Sequence, residues 1–200
     1  MDALAAQTTR GSIRRLTDRT PRPPSRAPVA HRAQRRLRIA MLAPPWIPVP
    51  PPGYGGVESV VSVLTEALVR RGHDVTLFCA PGSVSDARLV TLLDESHPEE
   101  IERSLYEIDH VARAFAAIEA GVGGRGFDVV HDHCGFSALA MADRLDVPVV
   151  HTLHGQFTPE TSAFYQRHGH KGVIVGISRA QILQAPADIG AEIAIPNPID

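Results

Sequence analysis

Short apolar segments alternate with segments of helical periodicity over most of the chain, and this alternation limits the fold more than any other feature. The segment 37–43 is apolar and ends at Pro44-Pro45, which is typical of a buried strand. Beyond the next loop, apolar residues recur at helical spacing at Val57, Val60, Val61, Leu64 and Leu68. Strands that alternate with helices connect through right-handed crossovers and form a parallel sheet covered on both faces. The sequence therefore predicts an α/β fold with a doubly wound, mostly parallel sheet.

More elements of both kinds follow the first strand and helix. Strands are predicted at 74–79, 127–131, 147–153, 172–177 and 191–195. Helices are predicted from Pro98 to Gly121 and at 137–145, 159–167 and 178–184. The long helix is expected to bury a stripe formed by Ile101, Leu105, Ile108, Ala112, Phe115 and Ile118. Residues 83–97 show only weak periodicity, so no element is predicted there.

The N-terminal residues differ in composition from the rest of the chain. Residues 1–38 hold ten Arg and only two acidic residues, whereas the whole chain carries a formal net charge of −2. Because residues 1–36 are rich in Arg and Pro and lack an apolar pattern, we expect a disordered extension there and a folded domain at 37–200. An organellar transit peptide is a minor alternative for the extension. The acidic domain that follows argues against nucleic acid as a partner.

Cysteine content and hydropathy indicate the compartment. Two cysteines, Cys79 and Cys134, provide neither a disulfide framework nor a Cys-based zinc site, and a reduced, cytoplasmic setting is the simplest interpretation. No apolar run approaches the roughly 20 residues that span a bilayer. The N-terminus lacks the apolar region of a signal peptide. Peripheral contact with the inner face of the membrane is compatible with the basic extension but is not required by it.

The loop Gly53-Tyr-Gly-Gly-Val-Glu58 joins the first strand to the first helix, and open parallel sheets bind ligands at such junctions. Glycines let the backbone approach a ligand closely, and N–H groups at a helix N-terminus attract phosphate. A tight turn is an equally good interpretation of a Gly-Gly pair. The spacing differs from the dinucleotide motif G-x-G-x-x-G. Gly55 and Gly56 are therefore candidate phosphate-binding residues.

Four histidines lie near the ends of two predicted strands, in His131-Asp-His133 and in His151-Thr-Leu-His154-Gly155. Side chains two apart on a strand share a face, so the first pair can point into one cleft. His154 and Gly155 leave their strand at its carboxyl end, where a functional histidine is expected. Core or solvated roles for at least two of the four remain the simpler interpretation.

The sequence argues against a metal site and against two common classes of hydrolase. His131, His133 and His154 have the number of ligands that a catalytic zinc requires, but their spacing matches no familiar zinc pattern and Asp132 is the only adjacent carboxylate. We therefore expect no metal. The sequence has neither a G-x-S-x-G nucleophile elbow nor a P-loop lysine motif, which excludes those serine hydrolases and P-loop nucleotide triphosphatases.

In order and spacing these segments resemble the N-terminal domain of glycosyltransferase family 4, the retaining enzymes of the GT-B type. The matching segments are Arg38-Ile-Ala-Met-Leu-Ala, Gly53-Tyr-Gly-Gly-Val-Glu58, Arg71-Gly-His-Asp-Val-Thr, Phe127-Asp-Val-Val-His-Asp-His133, Thr152-Leu-His-Gly155, Gly176-Ile-Ser-Arg179 and Ile195-Pro-Asn-Pro-Ile-Asp200. No single segment is specific. The resemblance covers about residues 37–200 and implies a Rossmann-like sheet that forms the N-terminal half of a GT-B architecture.

Enzymes of this family transfer a sugar from a nucleotide-diphosphate donor to an acceptor hydroxyl with retained anomeric configuration. The resemblance implies that Gly55 and Gly56 approach the donor diphosphate and that His154, the candidate catalytic residue, lies near the transferred sugar. N–H groups at a helix end can stabilise the departing diphosphate without a metal. The nucleotide sugar is thus expected as a substrate, with no tightly bound cofactor.

On the acceptor side, the resemblance points to four residues: Tyr54, His133, Thr152 and Gly155. The acceptor is expected to be a sugar or a lipid-linked compound. The family's E-x7-E motif belongs to a second, donor-binding domain, and we expect that domain to be absent from the 200 residues. The same spacing of glutamates occurs at Glu58 and Glu66 and at Glu99 and Glu107, which we interpret as solvated helix faces.

Three hypotheses follow from the sequence. The first is a truncated glycosyltransferase that is inactive without its C-terminal domain. The second is a non-catalytic module that binds a sugar or acceptor and acts with a partner. The third is part of a sugar-nucleotide epimerase, which would need an acidic group for proton abstraction, with Glu58 and Asp132 as the nearest candidates. The first is favoured.

Overall fold

The structure is a computed structural model that describes residues 35–101, 103–191 and 193–198. The strands are β1 (Arg38–Leu42), β2 (Asp74–Cys79), β3 (Arg88–Thr91), β4 (Val129–Asp132), β5 (Val149–Leu153), β6 (Val173–Gly176) and β7 (Ile193–Ala194). The α-helices are α1 (Gly56–Arg70), α2 (Ser104–Ala120), α3 (Phe136–Ala140), α4 (Pro159–His168) and α5 (Arg179–Ile182). Short 3₁₀ helices occupy Pro98–Glu100, Ala142–Arg144 and Gly169–Lys171.

The strands form one seven-stranded sheet in the order β3-β2-β1-β4-β5-β6-β7, and every pairing is parallel. The α/β, doubly wound fold predicted from the sequence is confirmed. The strand order reverses at β1, which pairs with β2 on one side and with β4 on the other. The loops after β1 and β4 therefore flank a topological switch point, the place where doubly wound sheets bind ligands.

Both faces of the sheet are covered, and successive β1 side chains pack into opposite layers. Ile39 and Met41 pack with Val61 of α1 and with β2 residues of the same face. Ala40 and Leu42 pack on the other face, in a cluster that includes Val111, Ala114, Phe115 and Ile118 of α2. This alternation is the pleat of a strand buried on both sides, and it makes β1 the fixed centre of the fold.

The structure differs from the sequence-based expectation for α2. The helix begins at Ser104, because Pro98–Glu100 forms a separate 3₁₀ turn and Arg103 has an extended conformation. The expected stripe is wrong at its N-terminal end, since Ile101, Leu105 and Ile108 are exposed, Leu105 by 71%. The helix instead buries His110, Val111, Ala114, Phe115 and Ile118.

Strand β3 was not predicted. It lies at the edge of the sheet, and its residues are exposed or half-buried. An edge strand with one neighbour lacks the continuous apolar pattern that identifies a central parallel strand. Of the predicted N-terminal extension, only Arg35 and Arg36 belong to the described residues; Arg35 donates a hydrogen bond to Asp128 at 2.6 Å. No α-helix in the described part of the chain has the length and apolar character to cross a bilayer.

Candidate active-site cleft

A cleft of about 710 Å³ opens at the carboxyl ends of β1, β4 and β5. The β1–α1 loop, the residues after β4 and the β5–α4 loop form its walls. The structure brings all seven residues singled out from the sequence to this cleft: Tyr54, Gly55, Gly56, His133, Thr152, His154 and Gly155. They meet because carboxyl ends of parallel strands share one edge of the sheet. Their individual roles stay predictions.

The β1–α1 loop brings the N-terminus of α1 to the cleft. Gly55 precedes the helix, and a Cβ there would lie 2.6 Å from Pro51 Cβ and 3.0 Å from Glu58 Oε2. Gly55 is therefore required by close packing, whereas a Cβ on Gly56 would meet no atom within 4 Å. Gly55, at the N-cap position, has no side chain with which to cap the helix. Its first-turn N–H groups and the helix dipole thus favour an anion.

The position of Glu58 differs from the solvated helix face expected from the sequence. It lies in the first turn of α1 and is only 5% exposed, so the interpretation as a solvated helix face is wrong. Burial raises the pKa of this carboxyl above its ordinary value, although a hydrogen bond with its own backbone N–H partly offsets the effect. The loop packs around Glu58, as the close approach of its carboxylate to Gly55 shows. A carboxyl group that resists ionisation therefore borders the candidate phosphate loop.

Glu107 is also more than a solvated residue. It extends from α2 to the cleft, where its Oε1 accepts hydrogen bonds from Ser137 Oγ at 2.7 Å and from the Ser137 N–H at 3.4 Å. A Cβ on Gly135 would lie 2.6 Å from Glu107 Oε2, so this carboxylate packs directly on the backbone at Gly135. The contact ties α2 to the segment that follows β4.

His133 and His154 come together across the cleft floor. His133 Nδ1 lies 2.9 Å from His154 Nε2, and the ring centroids are 5.1 Å apart. His131 lies behind them, with its ring 4.4 Å from that of His133 and its Nε2 2.9 Å from Thr152 Oγ1. Burial lowers the pKa of His131 and of His154 to about 4, and that of His133 well below its ordinary value. All three imidazoles are therefore neutral at pH 7.

A second network lies beneath the cleft. His151 Nδ1 is 2.5 Å from Asp132 Oδ2, and His151 Nε2 is 3.2 Å from the Tyr165 hydroxyl of α4. Asp132 Oδ1 also accepts a hydrogen bond from the Cys134 N–H at 2.9 Å. Burial, aided by the charge of Asp132, raises the pKa of Tyr165 well above its ordinary value. His151 is buried, and its two hydrogen-bonding contacts link β4 and β5 to α4.

Sequence reasoning missed two residues that hold the β5–α4 loop. Tyr165 belongs to the buried network just described. Gln181 Nε2 donates hydrogen bonds to the carbonyl oxygens of Leu153 and Gly155, at 3.0 and 2.6 Å, on both sides of His154. Neither contact has a local sequence signal, because each joins segments more than ten residues apart.

The arrangement of the histidines does not suit a metal ion. Over the stretches that the structure describes, no group of three or more His, Cys, Asp or Glu side chains is arranged to hold one. His133 and His154 direct their ring nitrogens at each other instead of at a common point. The cleft offers hydrogen-bonding groups and a helix N-terminus, and the described residues that line it include no Lys or Arg.

A doubly wound parallel sheet, with a glycine loop and a helix N-terminus at its switch point, is typical of proteins that bind nucleotides or sugar nucleotides. The chain belongs to Glycosyltransferase Family 4, because the sequence profile of that family matches residues 54–185, more than half of the chain. The resemblance read from the sequence motifs is confirmed.

Curated relatives carry a more specific name. The chain is 27% identical over 164 residues to the D-inositol 3-phosphate glycosyltransferase of Kineococcus radiotolerans, a match that covers 74% of this chain and 38% of the relative. It is 31% identical over 133 residues to the protein of the same name from Xylanimonas cellulosilytica, a match that covers 58% of this chain and 32% of the relative. The chain thus spans well under half the length of these relatives.

Solved structures show the same fold. One is AviGT4, a glycosyltransferase involved in avilamycin A biosynthesis, with a TM-score of 0.52, 24% identity and coverage of 82% of this chain and 43% of the other. Another is a glycosyltransferase from Rickettsia africae, with a TM-score of 0.53, 13% identity and coverage of 76% and 40%. These GT-B neighbours identify the fold as Rossmann-like.

Proposed function

We propose that this chain forms the acceptor-side half of a retaining glycosyltransferase, which moves a sugar from a nucleotide-diphosphate donor to an acceptor hydroxyl. One observation carries the proposal: the N-terminus of α1 and the imidazole of His154 line the same cleft at the switch point. The first can accept a diphosphate and the second can contact the sugar. Family membership supports sugar transfer as the chemistry.

The chain's own residues would act by positioning and by hydrogen bonding. The helix N-terminus beyond Gly55 would receive the diphosphate and stabilise the negative charge that grows as the bond to the sugar breaks. His154, neutral at pH 7, would orient a hydroxyl or donate a hydrogen bond near the transferred sugar. We assign no general base.

A second domain is needed to complete the donor site in this proposal. A nucleoside diphosphate carries more than one negative charge, yet the described cleft residues include no Lys or Arg, while Glu58 and Glu107 add carboxyl groups. One helix N-terminus offers only partial compensation. We infer that cationic groups come from a C-terminal donor-binding domain or from a partner that takes its place. The isolated 200 residues would then be inactive.

The acceptor would be a hydroxyl compound held by Tyr54, Thr152 and Gly155 at the rim and wall of the cleft. Tyr54 is 97% exposed at the rim of the cleft, so its ring is accessible to a bound molecule. The names of the curated relatives support a phosphorylated polyol as one acceptor to test, beside sugars and lipid-linked sugars. The two buried free cysteines are consistent with a cytoplasmic reaction, at the inner face of the membrane if the acceptor is lipid-linked.

The alternatives fit the geometry less well. In an epimerase fragment, Asp132 would have to reach substrate, but it is buried and bound to His151 and to the Cys134 N–H. Glu58 borders the cleft, but its carboxyl packs against Gly55 in the loop. A non-catalytic module that binds an acceptor with a partner would show saturable acceptor binding by the chain alone.

The test is to titrate the chain with UDP, GDP and ADP and to measure binding by calorimetry and by the backbone amide shifts in NMR spectra. We expect weak binding, with dissociation constants near or above about 1 mM, and the largest shifts at Gly56 and Val57. Gly56→Ala should weaken binding further without unfolding the chain, because a Cβ there meets no atom within 4 Å. Gly126→Ala is the matched control, since its Cβ is equally unobstructed and it lies outside the cleft.

Two results would contradict the proposal. Low-micromolar binding would mean that the donor site is already complete and that no second domain is needed. Amide shifts confined to residues away from the β1–α1 loop would show that this loop does not bind the diphosphate. Fusion to the donor-binding domain of a family member then tests transfer itself, with the anomeric configuration of the product read by NMR.

A further inference from the structure

The contact between His133 and His154 constrains which ring nitrogens of the two residues carry a hydrogen. His133 Nδ1 and His154 Nε2 lie 2.9 Å apart, a hydrogen-bonding distance. Burial keeps both rings neutral at pH 7, so each ring has one N–H and one bare nitrogen. One of the two facing atoms must therefore carry the hydrogen, and the choice fixes what His154 offers to a substrate.

The other nitrogen of His133 decides between the two cases. His133 Nε2 is buried and has no hydrogen-bond partner among the described residues. If Nε2 carried the hydrogen, a buried N–H would be left without an acceptor, and orphaned buried donors are rarer than under-satisfied acceptors. Placing the hydrogen on Nδ1 uses it in the contact with His154 and leaves Nε2 bare.

We propose that His133 is a positioning residue that donates its Nδ1–H to His154 Nε2, so that His154 is held in its Nδ1–H tautomer and presents an N–H donor to the cleft. In this form His154 cannot accept a proton from the acceptor at Nδ1. It would instead donate a hydrogen bond to an oxygen of the sugar or of the departing diphosphate. This consequence rests on the proposed function, whereas the tautomer itself does not.

The surroundings of His133 are built to hold its ring in place. Its backbone N–H donates to the Leu42 carbonyl at 3.0 Å, which extends the pairing between β4 and β1 beyond the end of β4. Its ring packs on that of His131, which is itself held by the hydrogen bond to Thr152 Oγ1. His133 is only 3% exposed, so it has little surface with which to contact a substrate directly. A role through His154 fits this burial better than the direct acceptor contact expected from the family resemblance.

The tautomers are measurable on this chain without any activity assay. Two-bond ¹H–¹⁵N correlation spectra of the imidazole rings at pH 7 distinguish a protonated ring nitrogen from a bare one. We expect His133 with hydrogen on Nδ1 and His154 with hydrogen on Nδ1. Hydrogen on Nε2 of either residue would overturn the proposal.

Two variants distinguish a role of His133 as hydrogen-bond donor to His154 from a role in packing alone. In His133→Asn, the amide N–H₂ can occupy the place of Nδ1, whereas in His133→Gln the amide reaches the place of Nε2. We expect His154 to keep its Nδ1–H tautomer in the Asn variant and to become a mixture in the Gln variant. Melting temperatures establish that both fold. If the His154 tautomer is the same in both variants, His133 does not set it and the proposal fails.

Activity in a fusion with a donor-binding domain supplies the functional readout. His133→Asn should keep kcat within a few-fold, and His133→Gln should lower kcat by about 100-fold with little change in KM, the size expected when one transition-state donor is lost. Equal loss in both variants, in proportion to their melting temperatures, would indicate a packing role. If the unsubstituted fusion shows no transfer, the proposed function fails, and the spectra still decide the tautomer.

Discussion

Asp132 and His151 lie directly opposite each other on β4 and β5, and their side chains meet at 2.5 Å in the interior beneath the cleft. His151 uses its other ring nitrogen to bind the Tyr165 hydroxyl. The sheet register thus creates a network of hydrogen bonds that runs from β4 to helix α4. Because the β5–α4 loop carries His154 and Gly155, this network holds one wall of the cleft in place.

Tyr165→Phe should destabilise the fold without closing the cleft. The change removes the hydroxyl that bonds His151 Nε2 and leaves a buried ring nitrogen without its partner. We expect a loss of about 1–2 kcal/mol in the free energy of unfolding, measured by urea denaturation. Tyr54→Phe is the matched control, since Tyr54 is almost fully exposed and its substitution should change stability by less than about 0.5 kcal/mol. Equal effects would contradict the role of the network.

Gly55→Ala and Gly56→Ala should have opposite outcomes. A Cβ on Gly55 would lie 2.6 Å from Pro51 Cβ, so the loop must shift, and we expect a loss of about 1–3 kcal/mol. The same change at Gly56 meets no atom and should leave stability equal or up to about 1 kcal/mol higher, because alanine restricts the unfolded chain. Melting temperatures of the two variants, measured side by side, check this. A Gly55→Ala variant as stable as Gly56→Ala would mean that the loop is not tightly packed.

Glu58→Gln should stabilise the protein at neutral pH. Burial raises the folded-state pKa of Glu58, so the stability linked to its neutral form is fully present below the unfolded pKa of about 4.5 and is lost as the pH rises through the folded pKa. Glutamine removes that loss. We expect a gain in the free energy of unfolding at pH 7 that shrinks toward pH 4, measured by denaturation at both values. Glu95→Gln, at an exposed position, should show no gain.

His110→Leu should reduce the sensitivity of the fold to acid. His110 lies within the buried face of α2, and burial lowers its pKa to about 4. A depressed folded pKa means that stability is present above the unfolded pKa of about 6.5 and is lost as the pH falls toward 4. The variant should lose about 2–3 kcal/mol less than the unsubstituted chain between pH 7 and pH 4. An unchanged slope of stability with pH would contradict a buried, neutral His110; His170→Leu, at an exposed position, is the control.

His154→Ala should affect transfer far more than stability. In a fusion with a donor-binding domain, we expect turnover to fall by about 100-fold or more, because one donor near the transferred sugar is lost. The melting temperature should change by only a few degrees, since within the described residues the ring makes a single hydrogen bond, to His133. If the melting temperature collapses while turnover per folded molecule is unchanged, His154 is a structural residue.

Much of the site was predictable because the loops that follow parallel strands lie at the same edge of the sheet. Gly55, His133 and His154 belong to three separate loops, and each follows a strand that the apolar pattern identifies. Once the strands are parallel, the three loops must share an edge. The predicted α2 stripe was wrong at Ile101, Leu105 and Ile108 for the opposite reason. Periodicity alone did not reveal the break at Pro98–Glu100, nor which side of the helix would meet the sheet.

The sequence by itself determined the alternation of strands and helices, and with it the parallel sheet and the loops at its carboxyl edge that carry Gly55, His133 and His154. The strand order, and with it the switch point, came only from the tertiary structure. Only the tertiary structure decided the pairings of His133 with His154 and of Asp132 with His151, and the burial of Glu58. Those contacts depend on strand register and loop packing, which set ångström distances between residues far apart in the chain. A pattern of residue types specifies which face a side chain occupies, but not which partner it meets there.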